Sequence, residues 1–164
     1  KDDVEKVGGH GSQVTLDHVG WKYRPEGLTS AQLNLPFCIA TLMLEDDVFV
    51  EQFPESSFTD AARIAYADKV EVHHDADITG RGSNFRHMIR AEVHLKDGTV
   101  LEETVEAPRG SEHSFASEAQ VVEKFEKLAT PTLGERQTAT LRDAILGMDD
   151  LDDASVIAKA LVLS

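Results

Sequence analysis

The sequence predicts an α+β fold, in which a small antiparallel sheet of about four strands, including a β-hairpin, is packed by helices. The hairpin is the clearest local signal, because residues 88–95 and 99–105 alternate between apolar and polar side chains around the turn Lys96-Asp97-Gly98. Helical patterns then follow in a run, at about 118–128, 134–146 and 153–163. An antiparallel hairpin followed by a run of helices favours α+β over a regularly alternating α/β fold.

The first half of the chain carries weaker strand signals. Residues 4–7 and 69–74 alternate as short strands, and we expect residues 13–16 to resume the first of them after a glycine-rich stretch. Residues 20–30 and 75–86 are rich in turn-forming and polar residues, which predicts loops.

A buried helix is predicted between these strands. Asn34 is a suitable N-cap, and Pro36 falls in the first turn, where its missing N–H is not needed. The positions from Phe37 to Leu44 are apolar on nearly all sides, which predicts a helix in the core that ends at the acidic run beginning with Glu45.

The helices of the second half carry start signals and apolar faces. Ser117 and Gln120 fit a capping box, which predicts a helix beginning at about residue 118. We expect the next helix to bury Leu141, Ile145 and Leu146.

Length and charge limit the classes of function. The chain has 164 residues, which suits a single α+β domain over residues 1–164. Its formal net charge of −14 argues against binding to nucleic acid or to an anionic membrane surface. It does not exclude a small anionic substrate, because a local arginine cluster can outweigh the overall balance at short range. No apolar run reaches the roughly 18 residues that a membrane span needs.

The single cysteine and the first residues bear on compartment and completeness. Cys38 is the only cysteine, so no internal disulfide can form, and we interpret the chain as cytoplasmic. Its apolar surroundings favour a buried side chain over a nucleophile. The chain does not start with methionine and shows no signal peptide, so we expect a piece of a longer protein.

Three residues are candidates for binding a substrate carboxylate. Gln32 and Asn34 lie at the start of the buried helix, where free N–H groups and the helix dipole favour an anion. Asn34 either caps the helix only, or caps it and also contacts the substrate. Arg109, in a Pro-Arg-Gly loop, either grips a carboxylate with its guanidinium or is a solvated surface residue.

The remaining basic residues favour charge balance over a site. A cluster around one loop could bind an anion, but we favour neutralisation of nearby acids; it comprises Arg81, Arg86, His87 and Arg90. No histidine has partners at a recognised ligand spacing, so we predict no metal site, and His10 is interpreted as an ordinary loop residue that could transfer a proton. Phosphate-binding loops, dinucleotide fingerprints and serine-hydrolase elbows are absent from the sequence.

The order of several short segments resembles the C-terminal domain of the 2-methylcitrate dehydratase (MmgE/PrpD) family. These segments are Ala31-Gln32-Leu33-Asn34-Leu35-Pro36-Phe37, Lys96-Asp97-Gly98, Ala107-Pro108-Arg109-Gly110, Val122-Glu123-Lys124-Phe125 and Met148-Asp149-Asp150-Leu151. None of them is specific alone, and the resemblance depends on their order and spacing over roughly 150 residues.

The resemblance implies a cofactor-independent lyase or isomerase acting on small di- or tricarboxylates. Such enzymes dehydrate 2-methylcitrate in propionate metabolism, decarboxylate cis-aconitate or epimerise iminodisuccinate, and the family precedent is a dimer. Their general base lies mainly in a helical domain that is absent from this chain. The chain is therefore expected to be a lid-like domain that is inactive alone and needs no cofactor.

Position 37 departs from the family pattern. The family often has Gln-x-Ser-x-x-Tyr at the start of the buried helix, whereas this chain has Gln32, Asn34 and Phe37. Phenylalanine has no hydroxyl to relay a proton. The alternative interpretation is thus a non-catalytic binding or interaction domain that kept the fold and lost the chemistry.

Overall fold

The computed structural model describes residues 1–162. The chain divides into two compact units, the first spanning Lys1–Pro108 and the second beginning at Arg109. The single domain over residues 1–164 stays a prediction. None of the helices in the described part of the chain is both long and apolar enough to cross a membrane.

The first unit is built around a four-stranded mixed sheet. Its strands are β1 (Val4–Gly11), β2 (Val70–His74), β3 (Ile89–Leu95) and β4 (Val100–Val105), in the order β2-β1-β3-β4. The α+β fold class is confirmed. The prediction of an antiparallel sheet holds for β1–β3 and β3–β4, but β1 and β2 pair in parallel. The long crossover between β1 and β2 carries helices and brings the chain back in the same direction.

The hairpin is confirmed. β3 and β4 are joined by a tight turn in which the N–H of Gly98 donates to the carbonyl of Leu95 at 3.0 Å. Gly98 has φ +88°, a left-handed conformation that glycine adopts without steric cost.

Five helices accompany this sheet. They are α1 (Gln13–Val19), α2 (Leu28–Gln32), α3 (Leu35–Glu45), α4 (Ala61–Ala67) and α5 (Ala76–Gly80). Short 3₁₀ segments lie at Val50–Gln52, Glu55–Thr59 and Ser83–Phe85.

The predictions for residues 13–16 and 75–86 were wrong. Residues 13–16 begin α1 and do not extend β1, because the Ser12 hydroxyl accepts from the N–H of Thr15 at 3.2 Å and caps a helix. The predicted loop 75–86 contains α5, which Asp75 caps by accepting from the N–H groups of Asp77 and Ile78.

Helix α3 begins and ends as predicted. Asn34 is its N-cap, and Asp46 ends it in the left-handed conformation at φ +59°. Its burial is one-sided, since Phe37 and Ala40 are fully buried whereas Leu42 is 44% exposed. The helix therefore lies in the core as predicted, and Leu42 is on its exposed side.

Two apolar clusters form the core of the first unit. One packs α3 and α4 on the sheet through Val4, Val7, Ala40, Tyr66, Ala67 and Val70. The other lies at the start of α3 and contains Tyr23, Ala31, Phe37 and Phe58. Because successive strand residues point to opposite faces, the other face of the sheet carries polar side chains.

The second unit is helical. Its helices are α6 (Glu118–Leu133), α7 (Glu135–Leu146) and α8 (Ser155–Ala160), with a 3₁₀ turn at Met148–Asp150. The predicted Ser117 capping box is present, but α6 continues through Pro131 beyond the expected end at about residue 128. The last helix is shorter than the predicted 153–163, and residue 163 lies outside the described part.

The burial predicted for α7 is confirmed in part. Leu141 is 2% exposed, whereas Ile145 and Leu146 are 42% and 55% exposed. The last two line a shallow apolar groove together with Val121 and Phe125 of α6.

Candidate functional site

Asn34 is the buried N-cap of α3. Its side chain has no exposed surface, its Oδ1 accepts from the N–H of Phe37 at 2.9 Å, and its Nδ2 donates to the carbonyl of Trp21 at 2.6 Å. The capping function is thus explained by two hydrogen bonds. Contact between Asn34 and a substrate stays a prediction, and it requires the covering residues to move.

Gln32 and Arg109 are both exposed, but they belong to different units. Gln32 is the last residue of α2, close to the start of α3. Arg109 lies in a turn that closes when the N–H of Gly110 donates to the carbonyl of Ser114 at 2.7 Å. Binding of a carboxylate by either residue stays a prediction.

Phe37 is a core residue. Its ring is fully buried, stacks on Tyr23 with 4.2 Å between ring centroids, and lies 5.6 Å from the guanidinium carbon of Arg63. The Tyr23 hydroxyl donates to the carbonyl of Phe58 at 3.0 Å, so it is already used. Burial raises the pKa of Tyr23, which keeps this phenol protonated.

Arg63 joins α3 to α4 from a buried position. It forms an ion pair with Glu45, donates to the carbonyl of Gln52 at 2.7 Å and to the Thr41 hydroxyl at 3.3 Å. Burial lowers the pKa of Arg63, yet these partners satisfy most of its donors. Its contacts are structural, because they fix the helix whose first turn forms the candidate site.

A cavity of about 550 Å³ lies beside the first residue of α3. Its apolar lining consists of Val14, Val19, Leu33, Leu35 and Ile89. The polar lining is Thr15, His18 and His87, and both histidines are exposed. Helix α1, the start of α3 and the start of β3 therefore surround one predominantly apolar space.

Hydrogen bonds to one carbonyl hold the walls of this cavity together. The Ser12 hydroxyl donates to the carbonyl of Arg86 at 2.6 Å, and the Thr15 hydroxyl donates to the same oxygen at 3.0 Å. The Arg86 Nε donates to His87 Nε2 at 2.9 Å. Helix α1 is thereby fixed against the segment that carries His87.

The predicted Arg81–Arg90 cluster does not form one anion site. Arg86 bonds to His87, Arg81 lies over the ring of Phe85 at 5.7 Å, and Arg90 pairs with Asp75 at 3.4 Å. The pairing of Arg90 supports the charge-balance alternative.

Sequence reasoning missed a titratable cluster on the polar face of the sheet. His10 lies in β1, not in a loop, and its Nε2 is 3.2 Å from Glu92 Oε1. His94 Nε2 is 3.2 Å from the other carboxylate oxygen, and the rings of His10 and His73 are 5.3 Å apart. The hydrogen bond from His94, with the nearby charges of His10 and Arg90, lowers the pKa of Glu92.

The signal for this cluster was incomplete in the sequence. Alternation along β3 places Arg90, Glu92 and His94 on one face, but the pairing with His10 depends on the β1–β3 register. Among the described residues, no group of three or more His, Cys, Asp or Glu side chains is arranged to hold a metal ion.

Residues 1–150 match the family model described as the MmgE/PrpD C-terminal domain. The chain belongs to the MmgE/PrpD family. Two cis-aconitate decarboxylases of Aspergillus terreus, one of them from strain NIH 2624 / FGSC A1156, are 24% and 25% identical to it over 162 and 156 residues. Each alignment covers 92% of this chain and 31% of the relative.

A third relative has the same reach. The cis-aconitate decarboxylase-like protein oryM of Aspergillus oryzae (strain ATCC 42149 / RIB 40) is 24% identical over 148 residues, covering 88% of this chain and 30% of that protein. This MmgE/PrpD chain therefore spans about a third of the length of the curated relatives it matches.

Cys38 is not an activated nucleophile in this MmgE/PrpD domain. Burial raises the pKa of Cys38 to about 11, so the thiol form dominates at neutral pH. Its Sγ lies 3.5 Å and 3.6 Å from the carbonyl oxygens of Gln32 and Ala31, which are acceptors for the thiol. No cationic group is among the causes of its pKa shift. The Cys38 thiol is therefore not poised to act as a nucleophile at neutral pH.

Proposed function

We propose that this chain is the lid-like domain of a cofactor-independent lyase or isomerase that acts on small di- or tricarboxylates. The observation that carries the proposal is the family match over residues 1–150, together with relatives named as cis-aconitate decarboxylases. In this role the domain covers a substrate cleft of the family's helical domain, excludes water and supplies carboxylate contacts from Gln32, Asn34 and Arg109. The general base belongs to the helical domain, so the chain alone is inactive.

The exposed apolar surface of the second unit supports a role as part of a larger assembly. Phe115 is 83% exposed and Val121 59% exposed, and the groove between α6 and α7 has a volume of about 120 Å³. Apolar patches of this kind are typical of surfaces that pack against a partner. The helical domain and a second copy in a homodimer are the partners that we propose, in a cytoplasmic enzyme of the 2-methylcitrate dehydratase type.

Calorimetric titration with cis-aconitate, citrate and 2-methylcitrate at low salt tests the carboxylate contacts. We expect millimolar binding that Gln32→Ala and Arg109→Ala each weaken about tenfold, the loss of one charge-assisted hydrogen bond. Arg136→Ala is the matched control, because Arg136 is also an exposed arginine of the second unit. Binding that is absent, or unchanged in both variants, contradicts the proposed contacts.

Turnover assays of the same chain test whether the general base lies in another domain. Decarboxylation, dehydration or epimerisation by these 164 residues alone would contradict the proposal that proton transfer needs another domain.

The second candidate is a non-catalytic binding domain, and Phe37 favours it. The ring is fully buried and carries no hydroxyl, so position 37 cannot supply a proton. An assay of the full-length protein that contains this domain, with and without Phe37→Tyr, separates the two candidates. Equal turnover by the two proteins supports the enzyme. If the unchanged full-length protein converts none of the three acids, the binding domain is supported.

A further inference from the structure

The cavity beside α3 has the size and lining of a small-molecule site. Its volume of about 550 Å³ falls in the usual range of ligand pockets, and most of its lining is aliphatic. It is formed by three elements that lie far apart in sequence: α1, the start of α3 and the start of β3. None of the contacts proposed above for carboxylate binding is part of its lining.

The walls of this cavity are fixed before any ligand binds. Ser12 and Thr15 both donate to the Arg86 carbonyl and hold α1 in place. On the opposite side, the Asn34 cap fixes the turn that presents Leu33 and Leu35. A preorganised pocket loses less conformational entropy on binding than one that must order its walls.

The polar groups at the cavity favour an anion. Among the described residues that line it, none is acidic, although the chain carries a net charge of −14. His87 Nε2 accepts from Arg86 Nε, so in the neutral ring Nδ1 carries the proton and can donate. This hydrogen bond places the positively charged guanidinium of Arg86 next to the His87 ring. His18 adds a second imidazole to the lining of the pocket.

The lining also limits how many charges a ligand can have. One carboxylate can bond to His87, with the guanidinium of Arg86 close behind it. Further carboxylates of a citrate-like acid would face aliphatic side chains without partners, which is unfavourable because a charge that leaves water needs a compensating partner.

We propose that this cavity binds an aliphatic monocarboxylate. The hydrocarbon part lies against Val14, Leu33 and Leu35, and the carboxylate is held by His87 with Arg86 behind it. This assigns the chain a second ligand class, different from the di- and tricarboxylates proposed above, and it does not depend on that function.

Protein-observed NMR of the ¹⁵N-labelled chain tests this with three probes: hexanoate, hexan-1-ol and tricarballylate. We expect hexanoate to shift the amide signals of Val14, Val19 and Leu33 in a saturable manner. His87→Ala should weaken hexanoate about tenfold, as for one lost charge-assisted bond, and leave hexan-1-ol unchanged. Leu33→Ser should weaken both probes, because it removes part of the apolar wall that they share.

Matched variants control for general effects of the substitutions. His113→Ala removes an exposed histidine of the second unit, and Leu101→Ser changes a leucine that is 55% exposed, similar to Leu33 at 52%. Both controls should bind hexanoate as the unchanged chain does. Since the substituted side chains are exposed, folding should be retained in all four variants.

Three results overturn the proposal. These are no saturable shift at tens of millimolar hexanoate, equal weakening by the controls, or tricarballylate binding in the cavity as tightly as hexanoate. Failure of this proposal can be distinguished from failure of the proposed function. If hexanoate binds in the cavity and cis-aconitate does not bind, the cavity proposal stands and the proposed carboxylate contacts fail. If cis-aconitate binds and Gln32→Ala weakens it while hexanoate gives no saturable shift, the carboxylate contacts stand and the cavity proposal fails.

Discussion

The Asn34 cap gives the sharpest stability prediction. Replacement of Asn34 by alanine removes both hydrogen bonds of a side chain that has no exposed surface. Loss of the cap to the Phe37 N–H should cost about 1 kcal/mol. The carbonyl of Trp21, left without its donor in a half-buried position, should add about 1 kcal/mol. The small cavity left by the amide group should add roughly another 1 kcal/mol.

We therefore expect Asn34→Ala to lower the free energy of unfolding by about 3 kcal/mol, the sum of these three contributions. Asn34→Ser keeps an oxygen that can accept from the Phe37 N–H but cannot reach the Trp21 carbonyl. It should therefore cost about 2 kcal/mol. Asn84→Ala changes an exposed asparagine in a 3₁₀ turn and should cost less than about 0.5 kcal/mol.

Urea denaturation followed by circular dichroism measures these differences by linear extrapolation. The decisive result is the order of destabilisation, which should be largest for Asn34→Ala, smaller for Asn34→Ser and smallest for Asn84→Ala. If serine is as destabilising as alanine, the cap to Phe37 contributes nothing and the reasoning about the start of α3 is wrong. If Asn34→Ala lowers the free energy of unfolding no more than Asn84→Ala does, the buried amide of Asn34 does not stabilise the fold.

Three further predictions follow from packing and charge. Gly11→Ala should destabilise the chain by about 1–3 kcal/mol through overpacking, because an added Cβ would lie 2.8 Å from the Cδ1 of Ile89 and 3.1 Å from the Cβ of Thr15, which cannot move without its backbone. Gly9→Ala, whose added Cβ would have its nearest neighbour at 3.9 Å, should cost less in the same urea assay. Cys38 should react with iodoacetamide at pH 8 more slowly than free cysteine, with a rate that rises through about pH 11; equal rates would contradict a buried thiol. The lowered pKa of Glu92 contributes stability above its ordinary value of 4.5, which is lost as the pH falls through the lower folded value. The stability difference between the unchanged chain and Glu92→Gln should thus be largest above pH 4.5 and shrink in more acidic buffer, and a difference independent of pH would refute it.

Local signals in the sequence predicted the elements that local chemistry controls. The hairpin at Gly98 and the cap at Asn34 each depend on residues a few positions apart, so the sequence alone identified them. The capping box at Ser117 belongs to the same class. These features need no knowledge of the rest of the fold.

The misses have both local and long-range causes, since α5 forms on the local cap at Asp75 whereas other elements depend on distant partners. Residues 13–16 have strand-like composition, but α1 forms because Ser12 caps it and is anchored on the Arg86 carbonyl, a partner far along the chain. The parallel pairing of β1 and β2 and the cluster of His10 with Glu92 also depend on register that no local pattern encodes.

The same division applies to the candidate site. The cap at Asn34 was predicted, since it is local, whereas the cavity needs α1, α3 and β3 to come together in space. His18 and His87 had no visible relation in the sequence.

The central position of β1 has a consequence for biosynthesis. Val7 pairs with Val70 on one side and with Val93 on the other, so β1 cannot complete its pairing until both later strands have been synthesised. Contacts this distant in sequence are typical of slow-folding chains. An apolar strand held unpaired for that long would promote cross-β association, but Gly8, Gly9 and Gly11 reduce its β-propensity. The glycines of β1 should therefore lower the tendency of the unpaired strand to form cross-β contacts.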